Sequence, residues 1–190
     1  LIAWIMARET WRDNLRAIEA LGLEPADQTL DVGTGHGRAL SEVAARTSSG
    51  LVTGVDPSEL MVEIATVHNE SLVRTKRIQV LKANAENLPF PDKTFDKAMA
   101  VHALYFWPSL SASFLEIARV LKPGGRLALL FRSAEDEQAV AAFPSGIYRF
   151  PPATEVISAL VAAGFSVDRV DSGNGPQRRM PVLITATRCN

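Results

Sequence analysis

The chain has 190 residues, 47% of them hydrophobic, which is enough to bury one core without disulfides or metals and too few for two full-sized domains. We therefore expect a single domain over residues 1–190. Because 20 Lys and Arg nearly balance 21 Asp and Glu, the net charge is -1, and no global field favours nucleic acid or an anionic lipid surface.

The two ends of the chain bear on where the protein resides. The apolar opening 1–6 lacks a preceding basic segment and is interrupted by Arg8 and Glu9, which fits neither a signal peptide nor a membrane span. The first residue is Leu1 rather than Met, as expected if the natural start lies upstream. Cys189 is the single cysteine, so an internal disulfide is excluded and a reducing compartment is permitted. We expect a cytoplasmic protein.

Apolar residues at helical spacing predict an amphipathic helix from about residue 6 to residue 21, where Gly22 ends it. The segments that follow alternate between short apolar strands and helices, a pattern typical of a doubly wound parallel sheet. The predicted order is strand 28–32, helix 38–45, strand 51–55, helix 58–69, strand 78–81, strand 95–101, helix 110–121 and strand 126–131. We therefore expect an α/β fold.

The C-terminal part differs from this alternation. Helix 153–163, which Gly164 ends, is followed by strands 165–170 and 181–187 with the loop 171–176 between them. So short a connection favours an antiparallel hairpin at one edge of the sheet. In the middle of the chain, Lys-Pro-Gly-Gly at 122–125 predicts a turn.

A loop with Gly33, Gly35 and Gly37 connects the first strand to the next helix. Glycines let the backbone approach a ligand there, and the helix N-terminus offers unpaired N–H groups. A dinucleotide loop has the spacing G-x-G-x-x-G, and counted from Gly33 its third glycine falls on Arg38. The loop therefore does not favour a nicotinamide dinucleotide.

Asp31, at the end of the first strand, separates two classes of ligand. Its carboxylate repels a pyrophosphate in a partly dry cleft. S-adenosylmethionine (SAM) instead brings an ammonium and a sulfonium, which favour a nearby carboxylate directly or through water, and its own carboxylate suits the loop N–H groups. The alternative is that Asp31 only caps the turn.

Asp56 ends the second strand, where an acid accepts hydrogen bonds from both hydroxyls of a ribose. A helix N-cap is the alternative role, but Ser58 can also provide that cap. Met61, one turn into the following helix, either packs its thioether on an adenine face or fills the core.

In this order the motifs resemble the class I SAM-dependent methyltransferases, and among them the bacterial ubiquinone-biosynthesis-type group with the methyltransferase type 11 domain. The resemblance covers residues 29–131. Its four motifs are Leu-Asp-Val-Gly-Thr-Gly-His-Gly at 30–37, Gly-Val-Asp-Pro-Ser-Glu-Leu-Met at 54–61, Asn-Ala-Glu-Asn-Leu-Pro-Phe at 84–90 and Arg-Val-Leu-Lys-Pro-Gly-Gly at 119–125. It implies a Rossmann-like, seven-stranded, mostly parallel sheet with an antiparallel C-terminal hairpin.

The resemblance also implies a SAM site. It assigns the loop 33–37 to the methionine part and Asp56 to the ribose. It assigns Asn84 and the backbone of Ala85 and Glu86 to the adenine edge. The family usually has Asp in place of Asn84, whose amide oxygen still accepts from the adenine amino group. The predicted cofactor-binding residues are Asp31, Gly33, Thr34, Gly35, Gly37, Asp56, Pro57, Met61, Asn84, Ala85, Glu86, Val101 and His102.

The segment 101–108, Val-His-Ala-Leu-Tyr-Phe-Trp-Pro, follows the fourth strand at the carboxyl end of the sheet, where open α/β folds bind ligands. We expect it to border the methyl acceptor. His102 is a candidate general base, or it lines the cofactor pocket without titrating. His36, His68 and His102 show no metal-ligand spacing, so we expect no metal.

Residues 132–152 follow the fifth strand and are expected to overhang this edge of the sheet. Loop-forming Pro and Gly mix with aromatic residues between 142 and 152, which is typical of a mobile cover. The alternative is a surface connection whose aromatic residues anchor on the core.

The predicted reaction is direct transfer of the SAM methyl group to an unidentified small-molecule acceptor, with alignment of the two centres as the main contribution of the protein. One alternative is a SAM-binding module without catalysis that acts through a protein partner. A nicotinamide-dependent oxidoreductase is the other alternative, which the glycine spacing and Asp31 disfavour. We expect neither a nucleic-acid partner nor a membrane span.

Overall fold

The structure, a computed structural model, describes residues 2–144, 146–172 and 181–190. The strands are β1 (Thr29–Val32), β2 (Val52–Asp56), β3 (Ile78–Lys82), β4 (Phe95–Val101), β5 (Leu121–Phe131), β6 (Phe165–Asp171) and β7 (Val182–Arg188). The helices are α1 (Ile2–Leu21), α2 (Arg38–Arg46), α3 (Glu59–His68), α4 (Glu70–Arg74), α5 (Leu110–Val120), α6 (Glu137–Ala142) and α7 (Ala153–Ala162), and a short 3₁₀ helix covers Leu104–Phe106.

The strands form one sheet in the order β3-β2-β1-β4-β5-β7-β6. The pairs among the first five strands are parallel. β7 pairs antiparallel with both β5 and β6. The predicted seven-stranded sheet with an antiparallel C-terminal hairpin is therefore confirmed. Of the predicted hairpin loop 171–176, residues 173–176 lie outside the described residues.

Helices cover the sheet on both faces. On one face, Leu30 and Leu129 of the strands belong to a core with Phe114 of α5. On the other face, Leu130 belongs to a core with Ile18 of α1 and Leu40 of α2. Because consecutive strand residues point to opposite faces, Leu129 and Leu130 serve different cores, and a central strand must be apolar throughout.

Two short helices were not predicted. α4 has five residues, none of them fully buried, so it leaves no periodic pattern of apolar residues. α6 has six residues and lies inside the segment 132–152 that the sequence predicts as irregular. The side chain of Asp136 caps α6 by accepting from the N–H of Ala139 at 3.0 Å. A local cap therefore starts a helix too short to be recognised by periodicity.

The turn predicted at 122–125 lies within β5 rather than before it. Leu121 already pairs with Phe95 of β4, and the next pair is Arg126 with Lys97. The extra residues of the Lys-Pro-Gly-Gly segment therefore bulge out of the ladder, and Gly124 takes the left-handed φ of 76° that the bulge requires. The preceding helix ends at Val120, one residue earlier than predicted.

We predict that Gly37→Ala lowers the free energy of unfolding by about 2–5 kcal/mol, because it adds overpacking to backbone strain. Gly37 has a φ of 74°, and an added Cβ lies 2.6 Å from the Cβ of Ala65 in α3. Gly124→Ala is the matched control, since its φ is 76° but no atom lies within 4 Å of an added Cβ. Urea unfolding of both variants should show the larger loss for Gly37→Ala, and equal losses would contradict the close helix packing.

Candidate functional site

A cleft of about 640 Å³ opens at the carboxyl ends of β1, β2, β3 and β4. The predicted cofactor residues that line it are Gly33, Gly35, Asp56, Pro57, Met61, Asn84, Ala85, Glu86 and His102. The other lining residues are Val32, Ala83, Ala103, Phe106, Trp107 and Pro108. Four residues predicted for the cofactor do not line the cleft: Asp31, Thr34, Gly37 and Val101.

Asp56 is fixed by two backbone donors. The N–H of Gly35 donates to its Oδ2 at 2.9 Å, and the N–H of Ser58 donates to its Oδ1 at 2.9 Å. The hydroxyl of Ser58 caps α3 by accepting from the N–H of Met61 at 3.4 Å, as the sequence indicated. A carboxylate has further lone pairs beyond the two already used. Asp56 therefore retains acceptor capacity on the side that lines the cleft.

The three loop glycines have different roles. Gly33 approaches the loop after β4 so closely that an added Cβ lies 2.5 Å from the Cβ of Ala103. Gly37 packs against α3, and its carbonyl accepts from the side-chain amide of Asn69 at 2.9 Å. Gly35 has a φ of 55° and no atom within 4 Å of an added Cβ. Gly33 and Gly35 both line the cleft, and of the three glycines only Gly35 has open space in the direction of an added Cβ.

Asp31 is buried beside the glycine loop and accepts from the hydroxyl of Thr34 at 2.7 Å. Burial raises the pKa of Asp31 to about 7, the hydrogen bond from Thr34 opposes this shift, and the charge of Asp56 adds to it. Asp31 does bond within its turn, as the capping alternative expected. A cation close by would favour its charged form.

The loop after β3 is held by local hydrogen bonds. The Oδ1 of Asn84 accepts from the N–H of Glu86 at 3.1 Å. The Oε1 of Glu86 accepts from the N–H of Ser109 at 2.8 Å, which ties this loop to the start of α5. The backbone of Ala85 and Glu86 is thus presented to the cleft in a fixed conformation.

His102 lies at the end of β4 with both ring nitrogens in hydrogen bonds. Its Nδ1 is 2.8 Å from the hydroxyl oxygen of Tyr105, and its Nε2 is 2.9 Å from Oδ2 of Asp13. The backbone φ of His102 is 54°, a left-handed value that costs a residue with a side chain about 1 kcal/mol or more. Neither nitrogen is left to accept a proton from a ligand in this conformation.

Asp13 was not assigned a role from the sequence, and Tyr105 was expected only to border the methyl acceptor with the rest of the segment 101–108, although it does not line the cleft. Asp13 precedes His102 by 89 residues, so no spacing rule connects the two. One available signal was the position of Asp13 on α1, one turn before the buried Ala17 on the same helix face. A buried acid on an apolar stripe requires a polar partner.

A cluster of aromatic rings borders the cleft. Phe106, which lines the cleft and is half exposed, lies 4.9 Å from the ring of Tyr148. Phe150 lies 4.9 Å from Tyr105, and the N–H of Arg149 donates to the Tyr105 carbonyl at 3.2 Å. The segment 132–152 is thus anchored through its aromatic residues. Its covering role stays a prediction.

Among the described residues, no cluster of three or more His, Cys, Asp or Glu side chains is suited to a metal. None of the helices in this part of the chain is long and apolar enough to cross a membrane.

The sequence matches the methyltransferase domain family over residues 30–129. The chain belongs to this family. It is a SAM-dependent methyltransferase of class I, as the four motifs predicted. The matched residues extend from β1 into β5 and include every loop that lines the cleft.

Curated relatives are methyltransferases of several kinds. The uncharacterized methyltransferase YdaC of Bacillus subtilis is 28% identical over 165 residues, which are 87% of this chain and 86% of YdaC. The demethylmenaquinone methyltransferase of Tropheryma whipplei is 41% identical over 113 residues, 58% of this chain and 44% of that protein. The chain thus spans most of YdaC and less than half of the second relative.

Solved structures share the fold. A chain in the complex between the Haloferax volcanii Trm112 methyltransferase activator and the putative methyltransferase has a TM-score of 0.85 and 22% identity, covering 97% of this chain and 92% of that one. Geranyl diphosphate methyltransferase in complex with SAM has a TM-score of 0.78 and 17% identity, covering 93% of this chain and 84% of that one. At these identities the likeness concerns the fold alone.

We predict that Asp31→Asn becomes more stable relative to the wild type as the pH rises from about 4 to about 8. The folded-state pKa of Asp31 lies near 7, above its unfolded value of 3.8. Between these two values the unfolded state releases the proton while the folded state retains it, so the wild type loses stability as the pH rises, until the buried group itself ionises near pH 7. The difference in free energy of unfolding should change by about 2–4 kcal/mol, measured by urea unfolding at each pH.

Asp96→Asn is the control, because its difference in free energy of unfolding from the wild type should change with pH in the opposite direction. Burial alone raises the pKa of Asp96, but hydrogen bonds from Lys122 and the Gln28 N–H bring it below its ordinary value. The wild type therefore gains from this group above its unfolded pKa and loses that gain as the pH falls through the folded pKa. For the Asp31 prediction, the contradicting result is a free energy of unfolding that changes with pH in parallel for the wild type and Asp31→Asn. That result would show that folded Asp31 is ionised throughout the pH range.

Proposed function

We propose that the chain binds SAM in the cleft above β1–β4 and transfers its methyl group to a small, largely apolar acceptor by direct displacement. The observation that carries the placement is Asp56, which is held by Gly35 and Ser58 beneath the open side of the glycine loop. Formation of S-adenosylhomocysteine (SAH) in a panel of small acceptors tests the proposal. SAM binding without SAH formation from any acceptor would favour a non-catalytic SAM-binding module.

The lining residues accommodate the three parts of SAM in sequence along the cleft. The ribose hydroxyls donate to the remaining lone pairs of Asp56, and the adenine lies between Met61 and the loop that begins at Asn84. The methionine part lies over Gly35, whose backbone has no neighbour on that side. A cleft of about 640 Å³ is within the usual range for a cofactor site.

Asp31, which is buried and does not line the cleft, supplies a countercharge for the cationic groups of SAM through space or through water. Its pKa near 7 means that ionisation costs little free energy at neutral pH, and an approaching ammonium or sulfonium repays that cost. The same carboxylate disfavours a pyrophosphate. This electrostatic preference supports SAM over a nicotinamide dinucleotide.

The acceptor end of the cleft is formed by Phe106, Trp107 and Pro108. Apolar and aromatic surface of this kind favours an acceptor with a flat or apolar skeleton. The names of two relatives agree with such an acceptor. One is the demethylmenaquinone methyltransferase, and the other is the sterol 24-C-methyltransferase ERG6B of Gibberella zeae, 35% identical over 105 residues. We infer an acceptor with an apolar, ring-bearing skeleton.

The transfer is an in-line displacement. A lone pair of the acceptor forms the new bond to the methyl carbon while the carbon–sulfur bond breaks, and its electron pair stays on sulfur to give SAH. Because both nitrogens of His102 are engaged, this ring takes no proton from the acceptor. An acceptor with an acidic group, such as a phenol or a thiol, gives its proton to water and reacts as the phenolate or thiolate. The protein then contributes alignment and exclusion of water.

We also propose that residues 1–190 form a single domain in the reducing cytoplasm. Both cores pack on the same sheet, which supports one domain. Cys189 is an exposed free thiol, which supports a reducing compartment. The net charge of -1 supports a small-molecule acceptor over nucleic acid.

We predict that calorimetry detects binding of SAM and SAH but not of NAD or NADP. Equal or tighter binding of NAD would overturn the assignment of the cleft.

In the same assay, Asp56→Ala should weaken SAM binding by about 1.5–3 kcal/mol, because hydrogen bonds to a charged acceptor are lost. Asn84→Asp should bind at least as tightly as the wild type, since a carboxylate accepts more strongly from the adenine amino group. Loss of binding in folded Asn84→Asp would contradict the placement of adenine.

We predict that Phe106→Ala and Tyr148→Ala lower kcat/KM for an apolar acceptor about tenfold while SAM affinity changes less than about twofold. Both rings belong to the aromatic cluster at the proposed acceptor end of the cleft. Leu115→Ala is the control, an exposed apolar residue of α5 outside the cleft lining. A drop in SAM affinity as large as the drop in kcat/KM would show that the cluster binds the cofactor instead.

A further inference from the structure

A continuous chain of hydrogen bonds crosses the molecule behind the cleft, from α1 to the end of β5. Asp13 of α1 contacts Nε2 of His102 at 2.9 Å, and Nδ1 of His102 contacts the Tyr105 hydroxyl at 2.8 Å. The hydroxyl in turn accepts from the N–H of Arg132 at 2.6 Å. Of these residues only His102 lines the cleft.

The donors and acceptors of this hydrogen-bond chain match when His102 carries one proton, on Nε2. A carboxylate only accepts, so Asp13 requires a proton on Nε2 of His102. The backbone N–H of Arg132 only donates, so Tyr105 accepts there and its own proton is available for Nδ1 of the neutral ring. Burial raises the pKa of the Tyr105 hydroxyl well above its ordinary value, which keeps that proton in place. Every contact is satisfied with His102 as the neutral, Nε2-protonated ring.

The ring of His102 controls a strained piece of backbone. His102 has the left-handed φ of 54°, and the next residue, Ala103, places its Cβ against Gly33. A shift at His102 therefore moves Ala103 against the glycine loop, where no space for rearrangement remains. At the other end of the hydrogen-bond chain, Asp13 is also held in place, because Ile18 and Leu21 anchor α1 in the core.

We propose that Asp13 and Tyr105 are positioning residues for the SAM site: they clamp the His102 ring from both sides, and through it hold Ala103 against the glycine loop. The proposal rests on the proposed function in one respect, that SAM is the ligand of this loop. His102 then has a structural role and does not act as a base. Tyr105 does not line the cleft and therefore has no contact with substrate.

The first test compares SAH affinity by calorimetry in four variants. Tyr105→Phe removes both hydrogen bonds of the hydroxyl and Asp13→Ala removes the acceptor for Nε2, so each should weaken SAH binding about tenfold. Asp13→Asn should stay within about threefold of the wild type, because its amide oxygen still accepts from a neutral ring. Glu19→Ala removes an exposed acid from the same helix and should change nothing.

These outcomes distinguish a positioning role of His102 from a role as a catalytic base. If Asp13 served to stabilise a charged imidazolium during catalysis, Asp13→Asn would bind SAH normally but lose turnover as severely as Asp13→Ala. Wild-type SAH affinity in folded Tyr105→Phe and Asp13→Ala would overturn the positioning role. Rescue by Asp13→Asn in both binding and turnover is the result that the proposal requires.

The second test does not depend on the ligand or on the folding of a variant. ¹⁵N NMR of the histidine rings in the wild-type protein without ligand should show Nδ1 of His102 unprotonated and Nε2 carrying a slowly exchanging proton. A proton on Nδ1, or a ring in fast tautomeric exchange, would overturn the clamp. Failure of the wild type to bind SAM would instead contradict the proposed function and leave the NMR result to decide the clamp.

Discussion

The hydrogen bonds to Asp56 are the interaction on which the cleft depends. One carboxylate at the end of β2 accepts from Gly35 in the loop after β1 and from Ser58 at the start of α3. Since Asp56 is only 8% exposed, these bonds form away from bulk water, where they hold the loop firmly. The same carboxylate lines the cleft, so the group that organises the loop also faces the proposed cofactor site. A methyltransferase that works by alignment requires this kind of rigidity.

Much of the architecture is visible in the sequence because the sheet imposes it. The end of the central strand β5 is buried and apolar on both faces, and α5 has one buried apolar face, so elements of this kind leave a recognisable pattern. The loops after β1, β2 and β3 were recognised because their chemistry is local to a few residues. Elements without such a pattern, α4 and α6, were missed for the same physical reason.

The sequence alone does not show which residues pack against one another in the folded chain. Gly33, Gly35 and Gly37 look equivalent in the motif, yet Ala103 fills the space beside the first and Ala65 the space beside the third. Likewise, the role of His102 depends on Asp13, which the fold brings to it from 89 residues away. Such contacts are consequences of tertiary packing, and only the folded chain shows which candidate residues face a ligand.

We propose that the cleft above β1–β4 holds SAM with its ribose on Asp56 and its sulfur toward Phe106 and Trp107. A crystal structure of the protein with SAH is the decisive measurement. Both ribose hydroxyls should lie within hydrogen-bond distance of Asp56, with the adenine beside Met61 and the backbone of Ala85 and the sulfur facing Phe106. SAH bound elsewhere, or reversed so that the adenine lies against Phe106, would show that the cleft does not hold the cofactor in this way.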